Sequence, residues 1–136
     1  MPPSGGSTNL IRTPIMSIRF VTRTVHAYLD YPVALALMGL PVILGLGAEN
    51  PMALWLSVIT GFAAFVLTLL TDHHLGVWRV LPYKFHLAVD LTVGIVFLLA
   101  PSLFGFSGLD ALFYWVNGAA VVTVISLSTP EQKPAM

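Results

Sequence analysis

The chain has 136 residues, no cysteine, six basic and six acidic side chains, and 57% hydrophobic residues. The missing thiols exclude disulfides and thiolate metal sites, and the lack of a basic stripe excludes a nucleic-acid groove. Only 9% of residues are charged, against about 25% in an ordinary soluble domain, so lipid is expected to cover much of the surface.

The first stretch, "MPPSGGSTN", is rich in Pro, Gly and Ser, a composition that rarely orders itself. It leads into "IRTPIMSIRFVTR", 11 to 23, whose apolar and Arg mixture suits the membrane surface or the approach to a helix. Four apolar blocks follow: 25–46, 52–70, 85–100 and 109–127. Each is close to the roughly 20 residues that cross a bilayer core as helix. Lipid offers backbone groups no partner, so a helix is the expected solution for each. The pattern of the first block recurs in the third, which argues against a cleaved leader and for a retained helix. The expected organisation is a segment 1–18, a transmembrane domain 19–128 with repeats over 19–71 and 79–128, and a tail 129–136.

Arg12, Arg19 and Arg23 precede the first block, Arg79 and Lys84 flank the link between the second and third, and Lys133 lies in the tail. The other two links, "GLGAEN" and "FSGLD", carry Glu49 and Asp110 but no Lys or Arg. The positive-inside rule then places both termini and the middle link in the cytoplasm, with the chain in a bacterial inner membrane.

Shifted by sixty residues without a gap, the chain meets itself at Arg19/Arg79, His26/His86, Asp30/Asp90, Val33/Val93, Pro41/Pro101, Gly45/Gly105, Trp55/Trp115 and Leu67/Leu127. His, Asp, Pro, Gly and Trp are not types that lipid alone would repeat. Each repeat reads as helix, turn and returning helix, so two tandem hairpins are expected about a pseudo-twofold axis along the membrane normal. The fold class is an all-α membrane protein, a four-helix bundle.

The repeated "His-x-x-x-Asp … Pro … Gly-aromatic … Trp", with "APSLFGFSG" at 100–108 as the best local match, resembles the SPW-repeat family of small bacterial membrane proteins. Here the naming tripeptide reads Ala100-Pro101-Ser102, and Leu40-Pro41-Val42 in the first copy. The resemblance spans roughly 26 to 128 and implies two repeated hairpins in a membrane. It brings no activity.

Pro41 and Pro101 fall about 16 Å of helix rise beyond each Asp, where they end or bend the helix, and Gly45 and Gly105 then allow tight turning. Trp55 and Trp115 open the return helices, where indoles anchor at the interface. His26 and Asp30, like His86 and Asp90, share one helix face at i and i+4 spacing. A charged Asp in a membrane helix is costly, so each pair needs a reason. One is a structural lock joining the first and third helices, with Arg19 and Arg79 alongside. A second is a ligand set: His26, His86, Asp30 and Asp90 around a divalent metal, or the two His as axial ligands of a haem. A third is a pathway in which Asp30 and Asp90 carry protons or substrate. His73 and His74 read as a solvated pair at the interface. Ser57 and Asn117 stand at matched positions near helix centres, Asn117 suited to bonding a neighbouring helix. Ser57-x-x-x-Gly61 and Ala119-x-x-x-Thr123 suit close helix approach. No nucleophile with a base is found. The expected role is therefore non-catalytic: an accessory, scaffolding or assembly component, with the lipid bilayer and a larger membrane complex as partners.

Overall fold

A computed structural model describes residues 18–129. The readings of "MPPSGGSTN", of Arg12 and of the tail from residue 130 lie outside that range. Four helices carry the fold: α1 (Arg23–Ile43), α2 (Pro51–Leu70), α3 (Tyr83–Phe104) and α4 (Gly108–Leu127), with no strand among the described residues. All four are long and apolar enough to cross a membrane, so this is a multi-pass membrane protein. α1 packs on α2 and α3 on α4, giving the two expected hairpins.

Local sequence explains the helix ends. The Thr22 hydroxyl accepts from the Val25 amide at the start of α1, and the Asn50 side chain accepts from Met52 at the start of α2. Pro51 stands in the first turn of α2, where no amide is needed. Pro41 and Pro101 are buried and lie just inside the last turns of α1 and α3. Their carbonyls accept from Leu46 and Phe106 across Gly45 and Gly105, which hold φ of +68° and +69°. The Pro-to-Gly spacing thus builds the same helix stop twice. Nothing lies within 4 Å of a Cβ at Gly105, so its backbone angle alone resists substitution. Gly105→Ala is expected to cost about 1–2 kcal/mol of unfolding free energy, the strain of a left-handed L-residue, measured by denaturation in detergent.

The ungapped shift of sixty holds for only half of each hairpin. α1 and α3 open at Arg23 and Tyr83, 60 positions apart, but α2 and α4 open at Pro51 and Gly108, 57 apart. The link over 44–50 is longer than that over 105–107, and the difference is absorbed there. Gly61 therefore corresponds to Gly118, and Thr71 to Ser128. Trp55 stands five residues into α2 and Trp115 eight into α4, so they are not equivalent, though both are half-exposed. Ser57 and Asn117 are likewise mismatched. Ser57 is buried and donates to Leu37 O of α1, whereas Asn117 donates to Phe113 O of its own helix rather than to a neighbour.

Close helix approach rests on the true equivalents. A Cβ at Gly61 would sit 2.8 Å from Ala34 O, and one at Gly118 would sit 2.9 Å from Gly94 O. The Ser57-x-x-x-Gly61 expectation holds. Ala119 and Thr123 are exposed, and Gly118 makes the approach expected of them.

The hairpins meet in two layers. At the end holding the 44–50 and 105–107 links, Leu37, Leu46, Ala53, Phe97, Phe106, Phe113 and Tyr114 form an apolar core. There Tyr114 donates to Ala53 O at 2.8 Å, Asn50 to Phe104 O at 2.9 Å, and Gly47 N to Asp110 at 3.1 Å. At the opposite end, parallel bridges pair Val21 with Ser128 and Leu81 with Thr71. Leu127 O accepts from Val21 N and Leu70 O from Leu81 N, matched bonds at 3.0 and 2.9 Å. Between the layers runs an apolar cleft of about 440 Å³ lined by all four helices.

Candidate functional site

His26 and His86 each lie one turn into their helix, and Asp30 and Asp90 one turn further. The i,i+4 spacing puts each pair on one face, and both faces turn toward the space between the hairpins. The imidazoles are buried, at 2% and 1% exposure, and their rings stand 5.8 Å apart at 89°. His26 Nε2 is 3.2 Å from Asp30 Oδ1 and 3.1 Å from Asp90 Oδ2. His86 Nε2 is 3.2 Å from Asp30 Oδ2 and 3.1 Å from Asp90 Oδ2. Each histidine therefore meets its own aspartate and that of the other hairpin. All four sequence candidates come together at matching depth, at one end of the cleft.

Two hydroxyls that sequence reasoning missed complete the arrangement. His26 Nδ1 lies 2.8 Å from Ser128 Oγ, and His86 Nδ1 lies 2.6 Å from Thr71 Oγ1. Ser128 Oγ donates to Val124 O and Thr71 Oγ1 donates to Leu67 O, each at 2.7 Å. A hydroxyl has one proton, and here it is spent on the carbonyl, so the hydroxyl oxygen accepts from Nδ1–H. Nδ1–H is thereby occupied in both rings, and each Nε2 faces the carboxylates, donating to them as imidazolium or offering its lone pair to a cation. The signal for Thr71 and Ser128 is the match of "LTLLTD" with "VISLST", visible once the hairpins are aligned with a three-residue gap.

The second aspartate oxygen differs between copies. Asp30 Oδ2 is buried and makes no hydrogen bond, having only the ionic contact with His86. Around the quartet sit Tyr83, its ring edge-on to His26 at 5.8 Å, and Arg23, stacked over Tyr83 at 4.8 Å. Arg23 takes the place expected for Arg79. The Arg79 guanidinium is bonded instead to Gly76 O and His74 O in the middle link.

Carboxylate oxygens lie within 3.2 Å of both Nε2 atoms and occupy the space an axial pair would give to a macrocycle. The candidate ligand atoms of His26, Asp30, His86 and Asp90 all fall within 4.8 Å of one another.

His73 and His74 are not a solvated pair. His74 is exposed, but His73 is buried, its ring 6.1 Å from that of His86. Its Nδ1 accepts from Leu75 N at 3.2 Å, and its buried Nε2 lacks a hydrogen-bond partner. Burial, reinforced by His86, pushes the His73 imidazole below its ordinary value. The unfolded chain takes up this proton from about pH 6.5 downward, the folded chain only at lower pH. The contribution of His73 to stability is therefore full above that range and lost as pH falls through it. A His73 NMR titration midpoint below 6.5 is expected; one at or above it contradicts the burial argument.

No family model, curated protein or solved structure matches the chain.

Proposed function

We propose that this protein is a non-catalytic component of a bacterial cytoplasmic membrane, of the SPW-repeat kind, in which the His–Asp quartet clasps two hairpins into one unit within a larger membrane assembly. The observation that carries this reading is the crossed pairing of His26 with Asp90 and His86 with Asp30. The polar groups at the helix entrances are engaged with one another, an arrangement suited to joining helices rather than to attacking a substrate. Exposed Trp55, Phe62, Phe85 and Trp115 leave broad apolar faces for lipid or for protein neighbours.

Both termini on the cytoplasmic side is supported by Arg19, Arg23, Arg79 and Lys84 gathering at the quartet end, against Glu49 and Asp110 at the other. The cysteine-free chain gives a clean background for testing it. A cysteine introduced for Ala48, exposed in the link over 44–50, should react with an impermeant reagent on intact cells. One introduced for Trp78 should react only after permeabilisation. The reverse pattern overturns the orientation. For the assembly, native electrophoresis in mild detergent should show a species well above the single chain; a lone monomer carrying full function in the cell overturns it.

The cleft favours a second reading, passage of protons or a small substrate along the axis from Asp30 and Asp90 toward Asn117. Asp30→Asn with Asp90→Asn would then abolish flux in vesicles while preserving the fold. Unchanged flux removes this reading.

A further inference from the structure

From the quartet we infer that His26, Asp30, His86 and Asp90 bind one divalent transition-metal ion of the zinc type, as a structural site that ties α1 to α3. The inference rests on the clasp reading and names what completes the clasp.

Four observations converge on it. First, the donor set is two imidazole nitrogens and two carboxylates, which suits zinc and its first-row neighbours. Second, the spacing fits. An ion about 2.0–2.1 Å from four tetrahedral ligands sets those ligands about 3.3 Å apart. Asp90 Oδ2 lies 3.1 Å from both Nε2 atoms, and Asp30 meets the two rings with different oxygens at 3.2 Å. One ligand atom from each residue falls within 4.8 Å of the others, so a small rotation of the Asp30 carboxylate completes the set.

Third, the tautomers are set for metal. Ser128 and Thr71 hold the Nδ1 hydrogens and aim both Nε2 atoms inward. Ligating histidines almost always donate their other nitrogen in this way, which fixes the ring and raises its basicity. Fourth, Asp30 Oδ2 is buried without a hydrogen bond. A central cation supplies the partner it lacks.

Charge closes as well: two carboxylates with two imidazolium rings sum to zero, and so do two carboxylates and one divalent ion around neutral imidazoles. Binding therefore exchanges the two Nε2 protons, released to solvent, for one ion with no change in net charge. Four protein ligands leave no open position, which marks a structural rather than a catalytic site.

The test uses the full chain, purified in detergent with a tag that carries no histidine. Elemental analysis is expected to show about one zinc, iron or manganese per chain. After chelation, calorimetric titration with zinc should give one site, and zinc should raise the melting temperature reversibly. The paired change Thr71→Val and Ser128→Ala keeps all four ligands. It should weaken zinc about 10–100-fold, the usual effect of removing outer-shell partners. Asp30→Asn with Asp90→Asn should abolish the site. If that variant fails to fold, the hydroxyl variant decides. His74→Gln should leave binding unchanged, because His74 is exposed and outside the cluster. No stoichiometric metal and no zinc or manganese binding would overturn the inference, as would zinc binding that ignores the hydroxyl changes but is lost with His74. Destabilisation by aspartate removal without any metal would leave the ion-pair clasp standing and remove the metal alone.

Discussion

Asp30→Ala and Asp90→Ala are each expected to destabilise the protein by about 3–5 kcal/mol, the cost of removing one partner from a buried ion pair. Either change leaves two buried imidazoles facing a single carboxylate. The second removal should cost less than the first, because both aspartates serve the same two rings and their effects are coupled. Replacing all four members together by apolar side chains of similar volume should recover much of the loss, since no charge is then left unpaired. Reversible unfolding in mixed micelles, compared across the single, double and quadruple variants, measures each step. Strict additivity of the two aspartate changes would contradict a shared cluster.

The second large effect is steric. Gly61→Ala and Gly118→Ala place a methyl 2.8 and 2.9 Å from the carbonyls of Ala34 and Gly94. Backbone oxygen cannot swing aside as a side chain does, so the paired helices must separate. About 1–3 kcal/mol of destabilisation is expected from each, the range for overpacking. Gly39 is the internal control. It lies within α1 with nothing inside 4 Å of its added methyl, so Gly39→Ala should be neutral or stabilise by up to about 1 kcal/mol. The same denaturation series reads all three. A loss at Gly39 equal to that at Gly61 would contradict close approach as the cause, because helix propensity alone favours Ala at both positions.

These two predictions draw on different depths of legibility. The hairpins and the His–Asp faces follow from sequence because hydrophobic block length and i,i+4 spacing are local properties. That each His also meets the other hairpin's Asp does not follow. Spacing fixes which side chains share a face, but not how far the helix is rotated toward its neighbour. Pro41, Gly45, Pro101 and Gly105 were legible as turns because φ restriction and φ freedom act on single residues. Trp55 and Trp115 misled for the opposite reason: an identity in an ungapped alignment ignores a link that changes length between copies. The same offset hid Gly118, Thr71 and Ser128, whose partners become apparent only at a spacing of 57. A histidine beside polar residues reads as solvated, whereas the middle link folds His73 back against His86.

The matched bridges have one more consequence. Val21 is bonded to Leu127 and Thr129 just as Leu81 is bonded to Leu70 and Asp72. The far ends of the described chain are thus joined to each other by the same stitch that joins the two halves in the middle. The four helices are closed at this end by two equivalent stitches, one between α2 and the approach to α3 and one between the end of α4 and the approach to α1. A single hairpin pairing with a copy of itself would rebuild both stitches and the whole quartet.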